Sequence, residues 1–272
     1  MSTEPRRAAR EGAALGLRTF VVDDPREAGE AIAGEIAALV AAAAAAGRGI
    51  ALGLASGRTP ICVYASLARR QREQGLDLSG LTTFNLDEYL GLGPEHPSSF
   101  QAWMRRVLFD HVDVPPANVH IPDGRVAAGH AAAACDEYER AIRAAGGIEL
   151  QILGIGRNGH IAFNEPGSAR DSRTRVVRLS EDTRRANRGD FPDGQEVPER
   201  AITMGIGTIL EARRLRVLAF GAHKAEIVRR TLCDPIGPEL PSTFLREHPD
   251  VELWSTESHR SPPLPAAESG GD

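Results

Sequence analysis

Two segments of the chain carry side chains suited to proton transfer. Asp87 follows the apolar run Leu81–Asn85, and a carboxylate just past a strand can reach a cleft and act as a general base. His160 directly follows a glycine-rich segment, residues 154–159, and Glu165 lies five residues further on. An imidazole beside a carboxylate is a proton-transfer unit, because the carboxylate orients the ring and favours its charged form. Taken alone, Asp87 is also consistent with a turn and His160 with a structural role.

A second kind of chemistry, phosphate binding, is indicated by a short turn after the apolar run Ile50–Leu54. Its members are Ser56, Gly57, Arg58 and Thr59. Hydroxyls, a guanidinium and backbone N–H groups at a helix start all suit a phosphate, although the spacing is not that of a Walker loop. Lys224 follows another apolar run near a predicted helix start, where it can act as a phosphate counter-charge. A helix-capping turn and a surface lysine are the alternatives for each feature alone.

The glycine-rich segment 154–159 also matches G-x-G-x-x-G literally. A dinucleotide-binding loop must open a helix, whereas Pro166 disfavours a helix through Asn164 and Glu165. The eight histidines are scattered without metal-ligand spacing. We therefore expect neither a nucleotide nor a metal cofactor.

These residues need a scaffold, and short apolar strands alternating with helices predict an α/β domain with a mainly parallel twisted sheet. The predicted strands span residues 18–22, 50–54, 81–85, 118–121, 150–153, 215–220 and 251–254. The predicted helices span about 24–47, 60–74, 98–109 and 127–145, with one more after Lys224. Ligands bind beyond the carboxyl ends of such strands, so residues 56, 87, 160 and 224 are expected to converge on one sheet edge.

The organisation of the chain predicts one domain over residues 18–257. Residues 1–17 are expected to form a flexible leader and residues 258–272 a disordered tail. The polar segment 179–200 is expected to be a mobile flap.

Composition excludes several classes of protein. The 272 residues include 32 basic and 37 acidic side chains, and the net charge of −5 argues against broad affinity for nucleic acid or an anionic membrane. The longest apolar run, residues 36–46, is too short for a bilayer, and the polar start of the chain does not resemble a signal peptide. Three cysteines without CxxC spacing are expected to be buried thiols, so a cytoplasmic location is predicted: Cys62, Cys135 and Cys233.

In combination, these segments resemble the glucosamine-6-phosphate deaminase (isomerising) family of the 6-phosphogluconolactonase-like superfamily. The main signatures are TFNLDEY at residues 83–89 and GRNGHIAFNEP at residues 156–166, and residues 53–60, 172–175 and 221–224 support them. The resemblance covers roughly residues 18–255. It implies a Rossmann-like fold of about seven strands flanked by helices. It also implies conversion of glucosamine 6-phosphate and water to fructose 6-phosphate and ammonia, without metal or nucleotide.

The resemblance also implies roles for individual residues. His160 would open the sugar ring, Glu165 would orient it, and Asp87 would move a proton between C2 and C1 through an enolamine. Asn158, where some relatives have Asp, would support these groups. The phosphate would be held by the turn at residues 56–59, by Lys224 and by an arginine of the flap, for which Arg188 is the candidate.

Other readings remain open at this point. One is a deaminase, isomerase or lactonase for a related sugar phosphate, such as galactosamine 6-phosphate. Another is a non-catalytic sugar-phosphate sensor, which would not need Asp87, His160 and Glu165 together. Val177 stands where allosteric relatives carry a basic residue, so weak or absent activation by N-acetylglucosamine 6-phosphate is expected. A homo-oligomer also remains open, because the family includes both monomers and oligomers.

Overall fold

The buried apolar segments of the sequence form the strands of a central sheet. The computed structural model describes residues 6–7 and 17–256. The strands are β1 (Arg6–Arg7), β2 (Leu17–Val22), β3 (Ile50–Leu54), β4 (Leu81–Asn85), β5 (Asp87–Tyr89), β6 (Val119–His120), β7 (Leu150–Gly154), β8 (Arg175–Arg178), β9 (Arg200–Thr203), β10 (Leu215–Ala219) and β11 (Val251–Thr256). The helices are α1 (Pro25–Ala45), α2 (Ile61–Gln74), α3 (Phe100–Val107), α4 (Ala131–Ala144), α5 (Glu181–Asn187), α6 (Ile206–Leu210) and α7 (Ala225–Cys233).

The main sheet has the order β1-β2-β11-β10-β7-β3-β4-β6. The seven strands other than β1 are parallel to one another, and the two-residue β1 at the edge pairs antiparallel with β2. The predicted α/β fold with about seven parallel strands is therefore confirmed. Parallel strands place their carboxyl ends at one edge, and β3, β4 and β7 lie side by side in the centre of the sheet.

Local sequence signals explain the helix boundaries next to this sheet. Pro25 opens α1, and the Asp24 carboxylate caps it by accepting from the Arg26 backbone N–H at 2.8 Å. Ser99 caps α3 in the same way, with its hydroxyl accepting from Ala102 N–H at 3.1 Å. In the described part of the chain, α1 is the one helix long and apolar enough to cross a membrane, a test that core helices of soluble proteins also pass. Its face around Ile32 and Ile36 is buried in the core.

A second sheet, which the sequence did not predict, lies beside the first. Its order is β5-β9-β8, and both pairings are antiparallel. A small cluster of buried side chains covers it: Tyr89, Phe163, Leu179, Phe191, Val197 and Ala201. The segment predicted to be a mobile flap, residues 179–200, contains α5 and a 3-10 turn at Arg188–Asp190, and its mobility stays a prediction.

The burial of the three cysteines and the two ends of the chain can also be compared with the predictions. Cys135 is buried, but Cys62 is half-buried and Cys233 is exposed, so the prediction of three buried thiols is correct only for Cys135. Within the predicted leader, Arg6 and Arg7 form β1 and Leu17 begins β2, while its other residues lie outside the described ranges. The predicted tail, residues 258–272, lies outside them as well.

Candidate active site

A cavity of about 360 Å³ opens at the carboxyl ends of the central strands. Residues that follow β3, β4 and β7 line it, together with parts of α3 and of the segment after β8. The lining side chains that can form hydrogen bonds or carry a charge include Ser56, Arg58, Thr59, Asp87, Tyr89, Arg106, His160, Asn187, Asp190 and Lys224. The predicted convergence of residues 56, 87, 160 and 224 is thus seen in the structure.

Asp87 lies where the chain passes from the main sheet into the small one. It is the first residue of β5 and pairs with Thr203 of β9. Its carboxyl group is buried at the cavity wall, and no hydrogen-bond donor reaches it from the described residues. Burial, and secondarily the negative charge of Glu88, raise the pKa of Asp87 from 3.8 to about 8. A carboxyl group with such a pKa can hold or release a proton near neutral pH.

Glu88 is next to Asp87 in sequence but serves a different structure. Its carboxylate accepts from the backbone N–H groups of Phe100 at 3.0 Å and Gln101 at 2.9 Å, at the start of α3. Burial raises the pKa of Glu88 to about 7, although these hydrogen bonds oppose the increase. Glu88 does not line the cavity. Asp87 and Glu88 therefore do not form a catalytic pair.

His160 reaches the cavity from the loop after β7. Its ring lies directly over Gly156, where a Cβ atom would sit 2.2 Å from the imidazole, so only glycine leaves space for the ring. No helix follows the G-x-G-x-x-G string, as the position of Pro166 predicted. The Nδ1 atom of His160 is buried and lies 3.7 Å from Glu165 Oε2. This distance is too long for a hydrogen bond but close enough for a strong electrostatic interaction.

Glu165 lies behind His160, outside the cavity wall, and is held by several donors. Its carboxylate accepts from Thr183 Oγ1 at 2.5 Å, from Ser180 Oγ at 3.0 Å and from Asn158 Nδ2 at 2.7 Å. Burial opposes its ionisation, but the adjacent His160 and the bonds from Thr183 and Asn158 outweigh burial and lower the pKa of Glu165 to about 2. Glu165 is therefore a permanent negative charge beside the ring.

Asn158 connects the same two residues. Its Nδ2 atom donates to Glu165, and its Oδ1 atom accepts from the backbone N–H of His160 at 3.2 Å. An amide can make both contacts because it carries a donor and an acceptor, which a carboxylate does not. The structure thus places Asn158 as a connector between the loop and the carboxylate.

The turn at residues 56–59 forms another part of the cavity wall. Gly57 has φ +91°, a conformation that favours glycine, and the turn leads through Pro60 into α2. Lys224 lies opposite a loop carbonyl, and its Nζ atom donates to Ile155 O at 2.6 Å. Burial, and then the nearby Arg157, lower the pKa of Lys224. An anion in this part of the cavity would meet hydroxyls and two cationic side chains.

The flap contributes different residues from the predicted one. Arg188 donates to the carbonyls of Phe191 at 3.3 Å and Pro192 at 3.2 Å, and it does not line the cavity. Asn187 and Asp190 line it instead. The assignment of Arg188 to phosphate binding therefore stays a prediction that would need a different side-chain position.

Sequence reasoning missed several residues of this site. Arg106 of α3 lines the cavity. Ser180 and Thr183 were not identified, although a serine before the acidic start of a helix is a capping signal. Within the described part of the chain, no group of three or more His, Cys, Asp or Glu side chains is placed to hold a metal ion.

This cavity and this sheet define a class of sugar-phosphate enzymes, and comparison with known families agrees. The family model described as Glucosamine-6-phosphate isomerases/6-phosphogluconolactonase matches residues 23–254, and the chain belongs to that family. Curated proteins that it resembles include glucosamine-6-phosphate deaminases. The protein of Hahella chejuensis is 49% identical over 74% of this chain and 76% of its own length. That of Rhodopirellula baltica is 48% identical over 77% and 83%.

Solved structures agree with this placement. A monomeric glucosamine-6-phosphate deaminase superposes with a TM-score of 0.84 at 38% identity, covering 89% of this chain and 98% of its own. The 6-phosphogluconolactonase of Thermotoga maritima shares the fold with a TM-score of 0.69, at 24% identity over 89% and 100% of the two chains.

Proposed function

We propose that the chain is a glucosamine-6-phosphate deaminase, which converts glucosamine 6-phosphate and water to fructose 6-phosphate and ammonia. The observation that carries the proposal is the meeting of Asp87 and His160 in one cavity that also contains the turn at residues 56–59 and Lys224. Relatives that are 48–49% identical bear the name of this activity. The cavity supplies both acid–base groups and cationic side chains, which is what an amino-sugar phosphate requires.

His160 is proposed to open the sugar ring. The imidazole donates a proton to the ring oxygen and accepts one from the C1 hydroxyl, which leaves a C1 aldehyde and a free C5 hydroxyl. Glu165 lies 3.7 Å from the ring, and Asn158 holds the loop and the carboxylate together. Because Glu165 stays ionised, His160 is the member of the pair that exchanges the proton.

Asp87 is proposed to act on the opened sugar. Its carboxylate removes the C2 proton, which is acidic because C2 is next to the carbonyl, while the C1 carbonyl oxygen takes up a proton from the C2 ammonium group, and an enolamine forms between C1 and C2. Return of the proton to C1 gives an imine at C2. Water adds to this imine and ammonia leaves, which produces the C2 ketone of fructose 6-phosphate. A raised pKa suits this role, since the base must also give the proton back.

The phosphate is proposed to bind at the turn formed by Ser56, Gly57, Arg58 and Thr59, next to Lys224. Main-chain N–H groups, hydroxyls and two cations there match the acceptor oxygens and the negative charge of a phosphate. Arg188 remains a candidate ligand only if the flap rearranges around the bound sugar.

The alternatives are less well supported. A sensor would not require Asp87, His160 and Glu165 in one site, and a lactonase would not require a base for C2. Few of the residues named here would be expected to read the C4 hydroxyl of the sugar, so galactosamine 6-phosphate is the comparison substrate for an assay. We further infer a cytoplasmic enzyme of metabolism that binds no nucleic acid or membrane, and its oligomeric state can be measured by light scattering.

The expectation about regulation remains as well. Val177 is half-buried against the cluster over the small sheet, where it offers no charge to a phosphate effector. We expect a hyperbolic dependence of rate on substrate concentration, unchanged by N-acetylglucosamine 6-phosphate. A sigmoidal curve that this effector makes hyperbolic would contradict the inference.

The proposed activity is tested by following both products. Purified protein is incubated with glucosamine 6-phosphate, and ammonia and fructose 6-phosphate are quantified in parallel with assays on galactosamine 6-phosphate and 6-phosphogluconolactone. We expect equal amounts of ammonia and fructose 6-phosphate from the first substrate and much slower reaction of the others. Absence of ammonia from glucosamine 6-phosphate would refute the proposal.

A further inference from the structure

An exposed ion pair crosses the cavity between the turn at residues 56–59 and the flap. Arg58 Nη2 donates to Asp190 Oδ1 at 2.8 Å, and both residues line the cavity. Their side chains are 78% and 53% exposed. Ion pairs this exposed contribute little to stability, so an arriving anion can displace the contact at small cost.

The pair leaves most of the hydrogen-bonding capacity of Arg58 unused. A guanidinium has five N–H donors, and only Nη2 of Arg58 makes a bond within the described residues. Asp190, in turn, accepts from no other side chain there. Arg58 can therefore turn to a phosphate, whereas Asp190 loses its cationic partner when that happens.

The segment that carries Asp190 is held in place by other contacts. Phe191 is buried in the cluster over the small sheet, and Asn187 Nδ2 donates to Tyr89 Oη at 2.9 Å. The backbone N–H of Phe191 donates to Arg188 O at 3.2 Å and closes the 3-10 turn. Loss of the Asp190 carboxylate is thus not expected to displace the flap.

We propose that Asp190 sets the affinity of the site by competing with the phosphate of the substrate for Arg58. This inference rests on the proposed function, because it assumes that a phosphate binds at the turn. A phosphate monoester carries a charge of about −1.5 to −2 at neutral pH, so it attracts Arg58 more strongly than a single carboxylate does and also repels Asp190. Substrate and product carry the same phosphate, so the competition weakens both and shortens the time for which product stays bound.

The proposal is tested by measuring phosphate-dependent binding in matched variants. The Kd values of fructose 6-phosphate and of inorganic phosphate are measured by calorimetry for the parent, Asp190→Asn, Arg58→Gln and the double variant. Asp193→Asn is the control, since Asp193 is an exposed aspartate of the same flap that does not line the cavity. It changes the net charge by the same amount.

We expect Asp190→Asn to tighten binding of both ligands about three- to fivefold, and Arg58→Gln to weaken it about tenfold or more. In the Arg58→Gln background, Asp190→Asn should give a smaller gain, since the competition is already lost. The gain should also shrink as salt is added, which a purely structural role of Asp190 would not produce.

Two results would overturn the proposal. One is unchanged or weaker binding in Asp190→Asn, and the other is an equal gain in Asp193→Asn. These outcomes are separate from failure of the proposed function, because fructose 6-phosphate binding is measured without turnover. A parent that binds the ligand but releases no ammonia from glucosamine 6-phosphate would refute the deaminase and leave the competition intact.

Discussion

At the scale of single residues, two acidic side chains of the site behave in opposite ways. Burial raises the pKa of Asp87 to about 8, whereas hydrogen bonds and the neighbouring His160 overcome burial and lower the pKa of Glu165 to about 2. Groups whose environments separate their pKa values take different parts in proton transfer. The first can exchange protons at neutral pH, and the second provides a constant charge.

The first prediction concerns Asp87 as the base. Asp87→Asn keeps the shape of the side chain but cannot accept a proton, so kcat is expected to fall about 10²- to 10⁴-fold. The measurement is ammonia release, with Asp193→Asn as a control that should keep the parent rate. In the parent, kcat/KM corrected for ionisation of the substrate amine should increase with pH up to about 8, as Asp87 loses its proton. Undiminished turnover in Asp87→Asn would exclude this role.

The second prediction separates ring opening from the later steps. His160→Gln keeps a polar side chain but removes the group that exchanges protons with the ring oxygen. We expect the rate on glucosamine 6-phosphate to fall about 10²-fold or more, with a much smaller loss on an analogue whose chain cannot close to a ring. Rates on the two substrates that fall equally would show that His160 acts after ring opening.

At the scale of elements, the agreement between sequence and structure depends on local signals. The segments 50–54 and 81–85 are predicted at their observed bounds because the first is continuously apolar and the second combines apolar residues with β-branched threonines, both of which are typical of buried strands. The strand β8, Arg-Val-Val-Arg, is only four residues long, and its partner β9 follows a polar segment, so neither carries a periodic pattern. The small sheet depends on contacts distant in sequence, which local patterns do not encode.

The candidate site follows the same rule. Positions 56, 87, 160 and 224 are predictable because each lies in the segment that follows a strand of the parallel sheet. Asp190 and Arg106 reach the cavity through the packing of α3 and the flap, for which the sequence has no local signal. The position of Arg188 depends on carbonyl groups that its own turn presents, which also cannot be read from residue types.

The third prediction concerns α5, the helix that supports Glu165. Thr183→Val removes the 2.5 Å bond to Glu165 while keeping the shape of a buried side chain, and Thr183→Ser keeps the hydroxyl as a control. Loss of this bond should raise the pKa of Glu165 and free its carboxylate to move relative to His160, but Glu165 should stay ionised at neutral pH, so the acid limb of the kcat profile should remain that of Asp87. We expect kcat to fall about three- to tenfold at neutral pH with little change in KM. Equal kcat values for the Val and Ser variants would contradict the link.

At the scale of the whole molecule, the buried Asp87 lowers the free energy of unfolding at every pH at which it would be ionised in the unfolded chain. Its pKa is raised in the folded chain, so the unfolded chain releases the proton above about pH 4 while the folded chain keeps it up to about pH 8. Stability associated with Asp87 is therefore complete below about pH 4 and is lost progressively as pH increases to about 8. Each pKa unit corresponds to about 1.4 kcal/mol as an upper bound.

The fourth prediction follows from this sign. Asp87→Asn has no proton to lose. The melting temperature of this variant minus that of the parent should therefore increase as pH is raised from about 4 to about 8, and it should be constant above that pH. Thermal unfolding at a series of pH values measures this, with Asp193→Asn as the control. A pH-independent difference between parent and Asp87→Asn would mean that Asp87 titrates normally.

The single residue between the two sheets has a consequence for how the molecule loosens. Leu86 N–H donates to Leu54 O of the main sheet at 3.0 Å, and Leu86 O accepts from Met204 N–H beside the small sheet at 2.7 Å. Leu86 and Met204 are both buried, so neither bond opens to water without separating packed surfaces. The small sheet therefore cannot unfold or separate from the main sheet without moving Asp87, the first residue of β5. Partly unfolded forms of this protein are expected to be inactive, and recovery of activity on refolding is a measure of the joining of the two sheets.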